Sequence, residues 1–434
     1  MATRSRSLTF ALGACALALT FAAPVGATTA SDLAPIGRSM PGASGAYVYD
    51  ITANKPLLSR QATTKRTLAS NTKLFTAATA LGRYGEGERF ITALWTNGTV
   101  ANGELQGDVY LRGGGDPYFG GTSFVRKYFG SGATAEQIAL KTALLGITRI
   151  TGRVYGDEAV WDDRRGTAVY GFRRSGEIGG QLGALIFNKG FNSGKYQADP
   201  PRFAAQKMRI ALKDAGVTVQ GSTGVGKTPA GSRVLAYVES LSVSTLARKM
   251  NKPSDNYLAE MLIKGFGMPP EAVGGGNTDE GAAQPAAASD PVLTEGRAAT
   301  TRGGASIARK FAATLGSRAS ISDGSGLSRK DRASPREVVD LLRGMQSRQD
   351  FIAFNLSLPI PGVDGTLKDR MRGTAASKRC AAKTGTLSNV SALSGYCRTE
   401  SGNLVAFAIL NNAVAPYSAR AVQDRLVKAI AKLE

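Results

Sequence analysis

The chain has 434 residues, 42% of them hydrophobic, and a formal charge of +21 from 54 Lys and Arg against 33 Asp and Glu. That apolar content can fill a full core in two or three domains and excludes a disordered tail. No histidine and only three cysteines are present, which excludes a disulfide scaffold, a histidine-based triad and a His/Cys metal cluster; no cofactor is implied.

Residues 1–27 read as a secretory leader. Arg4 and Arg6 charge its start, an apolar run extends from Leu8 to Ala23, and Val25-Gly26-Ala27 places small residues at the cleavage positions. The run is short for a membrane span and no other stretch approaches about 18 apolar residues, so membrane association is at most peripheral, a retained anchor being the alternative. Removing the leader lowers the charge by two and takes Cys15 with it. A basic surface outside the cytoplasm favours anionic envelope polymers, or has no dedicated partner; no basic motif interleaved with aromatics points to nucleic acid.

"GAYVYDITANKPLLSRQ" alternates apolar and polar residues around an Asn-Lys-Pro break, a β-hairpin pattern. "LASNTKLFTAATALG", 68–82, then predicts a helix burying Leu74, Phe75, Ala77, Ala78 and Leu81, with Gly82 as its stop. From 89 to 239 the texture becomes short strand-like runs punctuated by glycine, read as a β-rich domain inserted between 28–88 and 240–434. Helical texture returns at "SVSTLARKMNKPSDNYLAEMLIKGFG". Residues 268–305 are rich in Gly, Ala and Pro and read as a flexible excursion.

Ser334-Pro335 supplies a cap and first-turn proline for the helix "REVVDLLRGM". Strands follow at 380–387, 390–398 and 404–410, and a last helix over 417–432 puts Val422, Leu426 and Ile430 on one face. A two-residue turn at Ser388-Asn389 would set Cys380 opposite Cys397. The pair then forms a disulfide or packs as two small hydrophobes.

Two constellations could carry chemistry. "GSTGVGKT", 221–228, matches a phosphate-binding loop in letters, but Pro229 follows where a helix must begin, so nucleotide binding fails its context test. The second is an ordered trio: Ser70-Asn71-Thr72-Lys73, Ser254-Asp255-Asn256 and Lys383-Thr384-Gly385. Residues three apart at a helix start share a face, so the Lys73 amine reaches the Ser70 hydroxyl. Burial and a second cation, Lys383, would disfavour protonated Lys73 and let it act as the base that histidine cannot supply. Ser254 can relay a proton and Asn256 can orient substrate or Lys73. Thr384 and Gly385 suit a carboxylate-bearing backbone lying along a strand edge. The amides of Ser70 and Thr386 are natural oxyanion donors. The bland alternative makes Ser70 a cap, Lys73 a solvated residue and "KTGT" an ordinary strand.

Together with "SDNYLAEML", "DGSGLSRKDRASP", "LPIPGVDGTLKDRM" and "AAKTGTLSNVSALSGYC", the trio resembles the class C low-molecular-weight penicillin-binding proteins, D-alanyl-D-alanine carboxypeptidases/endopeptidases. The resemblance implies an α+β fold of the serine β-lactamase/transpeptidase type, an antiparallel sheet flanked by helices. It implies Ser70 as the acylated nucleophile, Lys73 as its base, Ser254 and Asn256 in the second-motif roles, and Lys383, Thr384 and Gly385 along the carboxylate-binding strand. It further implies peptidoglycan stem peptides as substrates, β-lactams as covalent inhibitors and a periplasmic or cell-wall location. "GRVYGDEAVW" is similar to a stretch whose acid faces the diaminopimelate amino group, which would make Asp157 a specificity residue; a surface or turn aspartate is the alternative. Asp323 and Asp364, in the Gly-rich turns "DGSGLS" and "GVDGTL", are read as structural. A β-lactamase or esterase on the same scaffold and a non-catalytic wall-binding protein are the competing functions.

Overall fold

The computed structural model describes Met1 and residues 28–268 and 298–434. The expected leader falls almost wholly outside these residues. So does most of the 268–305 segment, but its end is ordered otherwise than expected. Thr300 caps a helix Thr301–Thr314, its side chain accepting from the Gly303 amide at 3.0 Å. Low side-chain bulk was read as loop there, whereas Gly304 is needed where the helix crosses the Ile263 carbonyl too closely for a Cβ.

A five-stranded antiparallel sheet joins the two ends of the described chain. Its order is Cys380–Leu387, Val390–Arg398, Leu404–Asn412, Ala43–Asp50 and Lys55–Arg60, so the chain's last strands pair with its first hairpin. Strand periodicity separates two cores. Val405, Phe407 and Ile409 face a layer containing Leu33, Leu426 and Ile430. Ala406, Ala408 and Leu410 face the opposite layer, where Leu74, Phe75, Val338 and Leu342 pack. The terminal helix, Pro416–Ala431, and the helix Pro335–Gln346 with its Ser334 capping box lie close to their sequence-based positions. Cys380 and Cys397 face each other across the first strand pair and are joined by a disulfide.

The helix carrying Lys73 runs Thr72–Tyr84 and is buried on nearly all sides. Gly82 does not stop it. A Cβ at Gly82 would collide with the Phe311 ring, so this glycine serves helix packing, and the stop falls at Gly85 with φ 94°.

Between 91 and 239 the described residues build two larger sheets and a two-stranded hairpin, Phe191–Asn192 with Lys195–Tyr196. The larger orders Thr223–Val225, Val154–Asp157, Val109–Gly113, Ile91–Thr96 and Arg233–Glu239, with parallel and antiparallel pairs; the smaller has four short strands. Three helices, Thr122–Phe129, Ala135–Leu144 and Pro200–Asp214, accompany these strands. Strand texture hid the helices: Ala135–Leu144 and Pro200–Asp214 carry alanine at many apolar positions, and Thr122–Phe129 is rich in aromatic and β-branched residues. Met208, Leu212 and Ile138 close a core over Leu94, Leu111 and Val154. Among the described residues no helix is long and apolar enough to cross a membrane.

Candidate active site

Ser70 sits in a single 3-10 turn, Ala69–Asn71, immediately before the buried helix. Ala69 takes φ 47° and Ser254 φ 65°, left-handed conformations that cost a non-glycine residue about 1–2 kcal/mol each. Close neighbours hold the Ala69 turn in place. Gly326 lies so near the Ala69 carbonyl that a Cβ has no room, and Gly385 lies so near the same turn that a Cβ would be 2.8 Å from Leu68 O and 3.1 Å from Ser70 N. The Asn71 side chain donates through Nδ2 to the Lys383 carbonyl at 2.9 Å, tying the nucleophile's turn to the edge strand.

Lys73 Nζ is 3.0 Å from Ser70 Oγ, 2.7 Å from Asn256 Oδ1 and 2.7 Å from the Ser325 carbonyl. Asn256 is oriented by its other end, Nδ2 donating to the Glu177 carbonyl at 2.8 Å, so Oδ1 must face the lysine. Two of the three partners of Nζ therefore only accept. They take both N–H bonds of a neutral amine and leave its lone pair aimed at the Ser70 hydroxyl. Complete burial pulls the Lys73 pKa down to about 8, against the opposing pull of Glu260, Asp323, Asp255 and Asp331. Lys383, also fully buried, bonds to Ser254 Oγ and the Thr384 carbonyl, both at 2.9 Å. Burial, and then the charge of Lys73, push it well below the ordinary lysine range.

The structure thus brings Ser70, Lys73 and Asn256 into one hydrogen-bonded group and Ser254 and Lys383 into a second, the two tied together through the Asn71 side chain on the Lys383 carbonyl. Thr384, Gly385 and Thr386 follow on the edge strand. The Ala382 amide donates off the sheet edge to the Pro359 carbonyl, and the two-residue period places the Thr384 and Thr386 amides on that same open edge. Thr384 Oγ1 meets Thr366 Oγ1 at 2.7 Å, and the Arg420 guanidinium reaches Thr386 Oγ1 at 3.4 Å.

Asp157 is placed differently from expectation. It is 3% exposed, and its carboxylate accepts from the Ala159 amide and from both the amide and hydroxyl of Thr228. Its oxygens accept from the chain's own donors, so it ties the end of its strand to the loop between Val225 and Arg233 and is engaged there instead of standing free toward a substrate. The same bonds settle "GSTGVGKT": its middle is the strand Thr223–Val225, its Thr228 is held by Asp157, and the next element is the strand Arg233–Glu239. Asp323 and Asp364 are structural in their contacts. Asp323 accepts from the Gly326 and Ser328 amides, and Asp364 accepts from the Ile360 amide and pairs with Lys252 at 2.6 Å.

Sequence reading missed Glu260 and Ser325. Glu260 Oε1, completely buried, accepts from the Gly324 amide at 3.1 Å and the Ser325 amide at 2.8 Å, and so fixes the peptide whose carbonyl holds Lys73. Burial pushes its pKa up to about 8. The signal was a carboxylate inside the apolar run "YLAEMLI", four residues after Asn256.

A serine backed by a depressed lysine and facing an open strand edge, on an antiparallel sheet flanked by helices, defines an acyl-serine hydrolase of the β-lactamase/transpeptidase class. The D-Ala-D-Ala carboxypeptidase 3 (S13) family model matches residues 31–171, 187–282 and 295–433, and the chain belongs to that family of serine-type peptidases. The chain is 30% identical to the D-alanyl-D-alanine carboxypeptidase of Actinomadura sp. (strain R39), over 90% of this chain and 81% of that one. It is 24% identical to the D-alanyl-D-alanine carboxypeptidase DacB of Haemophilus influenzae over 92% of each. The fold matches the crystal structure of penicillin binding protein 4 (dacB) from Haemophilus influenzae with a TM-score of 0.70 at 20% identity, covering 91% of this chain and 98% of that one.

Proposed function

We propose that the protein is an exported DD-peptidase that cleaves after D-Ala in peptidoglycan stem peptides through a Ser70 acyl-enzyme. The carrying observation is the Lys73 amine, 3.0 Å from Ser70 Oγ, with its N–H bonds engaged by Asn256 and Ser325. Ser70 Oγ attacks the D-Ala carbonyl as its proton passes to Lys73. The oxyanion forms between the Ser70 and Thr386 amides. On collapse the C–N bond breaks and the leaving amine takes a proton from the Lys73 and Ser254 network. Water, deprotonated by Lys73, then attacks the ester, and Ser70 Oγ leaves by taking that proton back from Lys73. Lys383, Thr384 and Arg420 are placed to attract the substrate's terminal carboxylate. When the leaving group is free D-Ala the reaction is a carboxypeptidase one; when it is the amine of a crosslink it is an endopeptidase one.

A β-lactam presents a strained acyl carbonyl with a carboxylate in the matching place, so it acylates the same serine. The division into 28–88, 89–239 and 240–434 is supported by an apolar core built wholly from residues between Leu94 and Val238. The test is the intact mass of the protein after incubation with benzylpenicillin. One added penicillin on the wild type and none on Ser70→Ala is expected. An unmodified wild type that also fails to turn over penicillin would sink the reading.

A further inference from the structure

A cavity of about 900 Å³ lies beside the second motif, outside the network just described. It is bounded by the helices Thr122–Phe129 and Pro200–Asp214, the loop 187–194 and Asp255. Asp255 stands between Ser254 and Asn256 and caps their helix, its Oδ1 accepting from the Leu258 amide at 2.9 Å. Its other oxygen pairs with Lys189 at 3.7 Å. The inner end of the cavity is therefore one residue from two groups of the catalytic network. Gly179, two residues beyond the Glu177 whose carbonyl holds Asn256, forms part of the same wall.

The lining is aromatic and polar at once. Phe124, Tyr128, Phe129 and Phe191 offer ring surface, and Tyr128 is 58% exposed with no core reason to be there. The charges nearly cancel. Lys189 is matched by Asp255, and Glu136 accepts from the Thr122 amide, which leaves Lys207 and Asp214, seven residues apart on one helix face. Such a balance rejects a polyanion, and burying these charges rejects an acyl chain. It suits a neutral body with apolar faces and hydrogen-bonding edges, which describes a pyranose ring: C–H faces lie on aromatic rings, and hydroxyl and acetamido groups meet Lys207, Asp214 and Asn192. The volume falls at the upper end of the roughly 300–1,000 Å³ range of small-molecule sites.

We propose that this cavity binds the amino-sugar rings of a wall-polymer fragment whose peptide is cleaved at Ser70. The proposal rests on the DD-peptidase reading. It makes the protein prefer stem peptides still attached to their sugars over bare peptides.

The test compares two substrates with one stem peptide ending in D-Ala-D-Ala, one acetylated and bare, the other carrying its N-acetylated disaccharide. The wild type should show a KM about tenfold lower for the sugar-bearing substrate, the gain of roughly one good stacking contact. Tyr128→Ala, at an exposed position, should abolish that advantage while leaving kcat, the KM for the bare peptide and the rate of penicillin acylation unchanged; Lys207→Ala should act in the same direction. Equal KM values for both substrates in the wild type, or variants that impair both alike, overturn the proposal. Cleavage of neither substrate by untreated wild type whose Ser70 is shown to take up penicillin would instead defeat the peptidase reading. Calorimetric titration with the free disaccharide then decides the cavity by itself: heat lost in Tyr128→Ala supports the site, and no heat with the wild type removes it.

Discussion

Asn256 Oδ1 holds Lys73 Nζ at 2.7 Å while Asn256 Nδ2 is engaged by the Glu177 carbonyl at 2.8 Å, so the second motif fixes the orientation of the amine in the first. Asn256→Asp would place a carboxylate against the amine and favour its ammonium form. The penicillin acylation rate at pH 7 should fall by about 10²–10⁴, the usual contribution of a positioned general base, and recover partly at higher pH. A rate within threefold of wild type would show that Lys73 does not act as the base.

Lys73 is useful as a base only when neutral, and burial sets its pKa at about 8. The neutral fraction rises with pH, so the acylation rate should climb by about tenfold per pH unit below 8 and level off above it. Stopped-flow acylation across pH 6 to 9.5 measures this. A rate independent of pH through that window contradicts the assignment.

Glu260 secures the Gly324 and Ser325 amides from a completely buried position. Glu260→Ala strands both donors and leaves a void, which should lower stability by about 3 kcal/mol. Glu260→Gln keeps an acceptor oxygen and should recover most of that loss. Denaturant unfolding of both variants checks the order.

At Gly385 a Cβ would press on Leu68 O and on the amides of Ser70 and Asn71. Gly385→Ala should push the edge strand off the nucleophile's turn and widen the oxyanion site. Acylation should drop by about 10²-fold, the scale of losing one oxyanion donor, with the melting temperature little changed. An unaffected rate would place the oxyanion elsewhere.

The disulfide between Cys380 and Cys397 closes a loop of 17 residues across neighbouring strands. Chain-entropy reasoning gives it about 3 kcal/mol. Cys380→Ser with Cys397→Ser, or reduction of the wild type, should lower the thermal midpoint without changing the stoichiometry of penicillin labelling. Loss of labelling would mean that the bond also shapes the Lys383 strand.

What the sequence by itself determined was local: residue types, their order and their short-range spacing. Ser70 and Lys73 share a face because they are three apart, the 380–398 pairing follows from a two-residue turn, and Ser334-Pro335 marks a helix start. These features depend on neighbours within a few positions, and periodicity reports such neighbours. The tertiary structure decided everything that needed a distant partner. The Ser325 carbonyl reaches Lys73 across 252 residues of chain, and Thr228 claims Asp157 across 71. Gly82 lies inside a helix because Phe311 packs on it. The depressed pKa of Lys73 belongs to the same class, since desolvation is a property of the enclosing core and no spacing within "SNTK" encodes it.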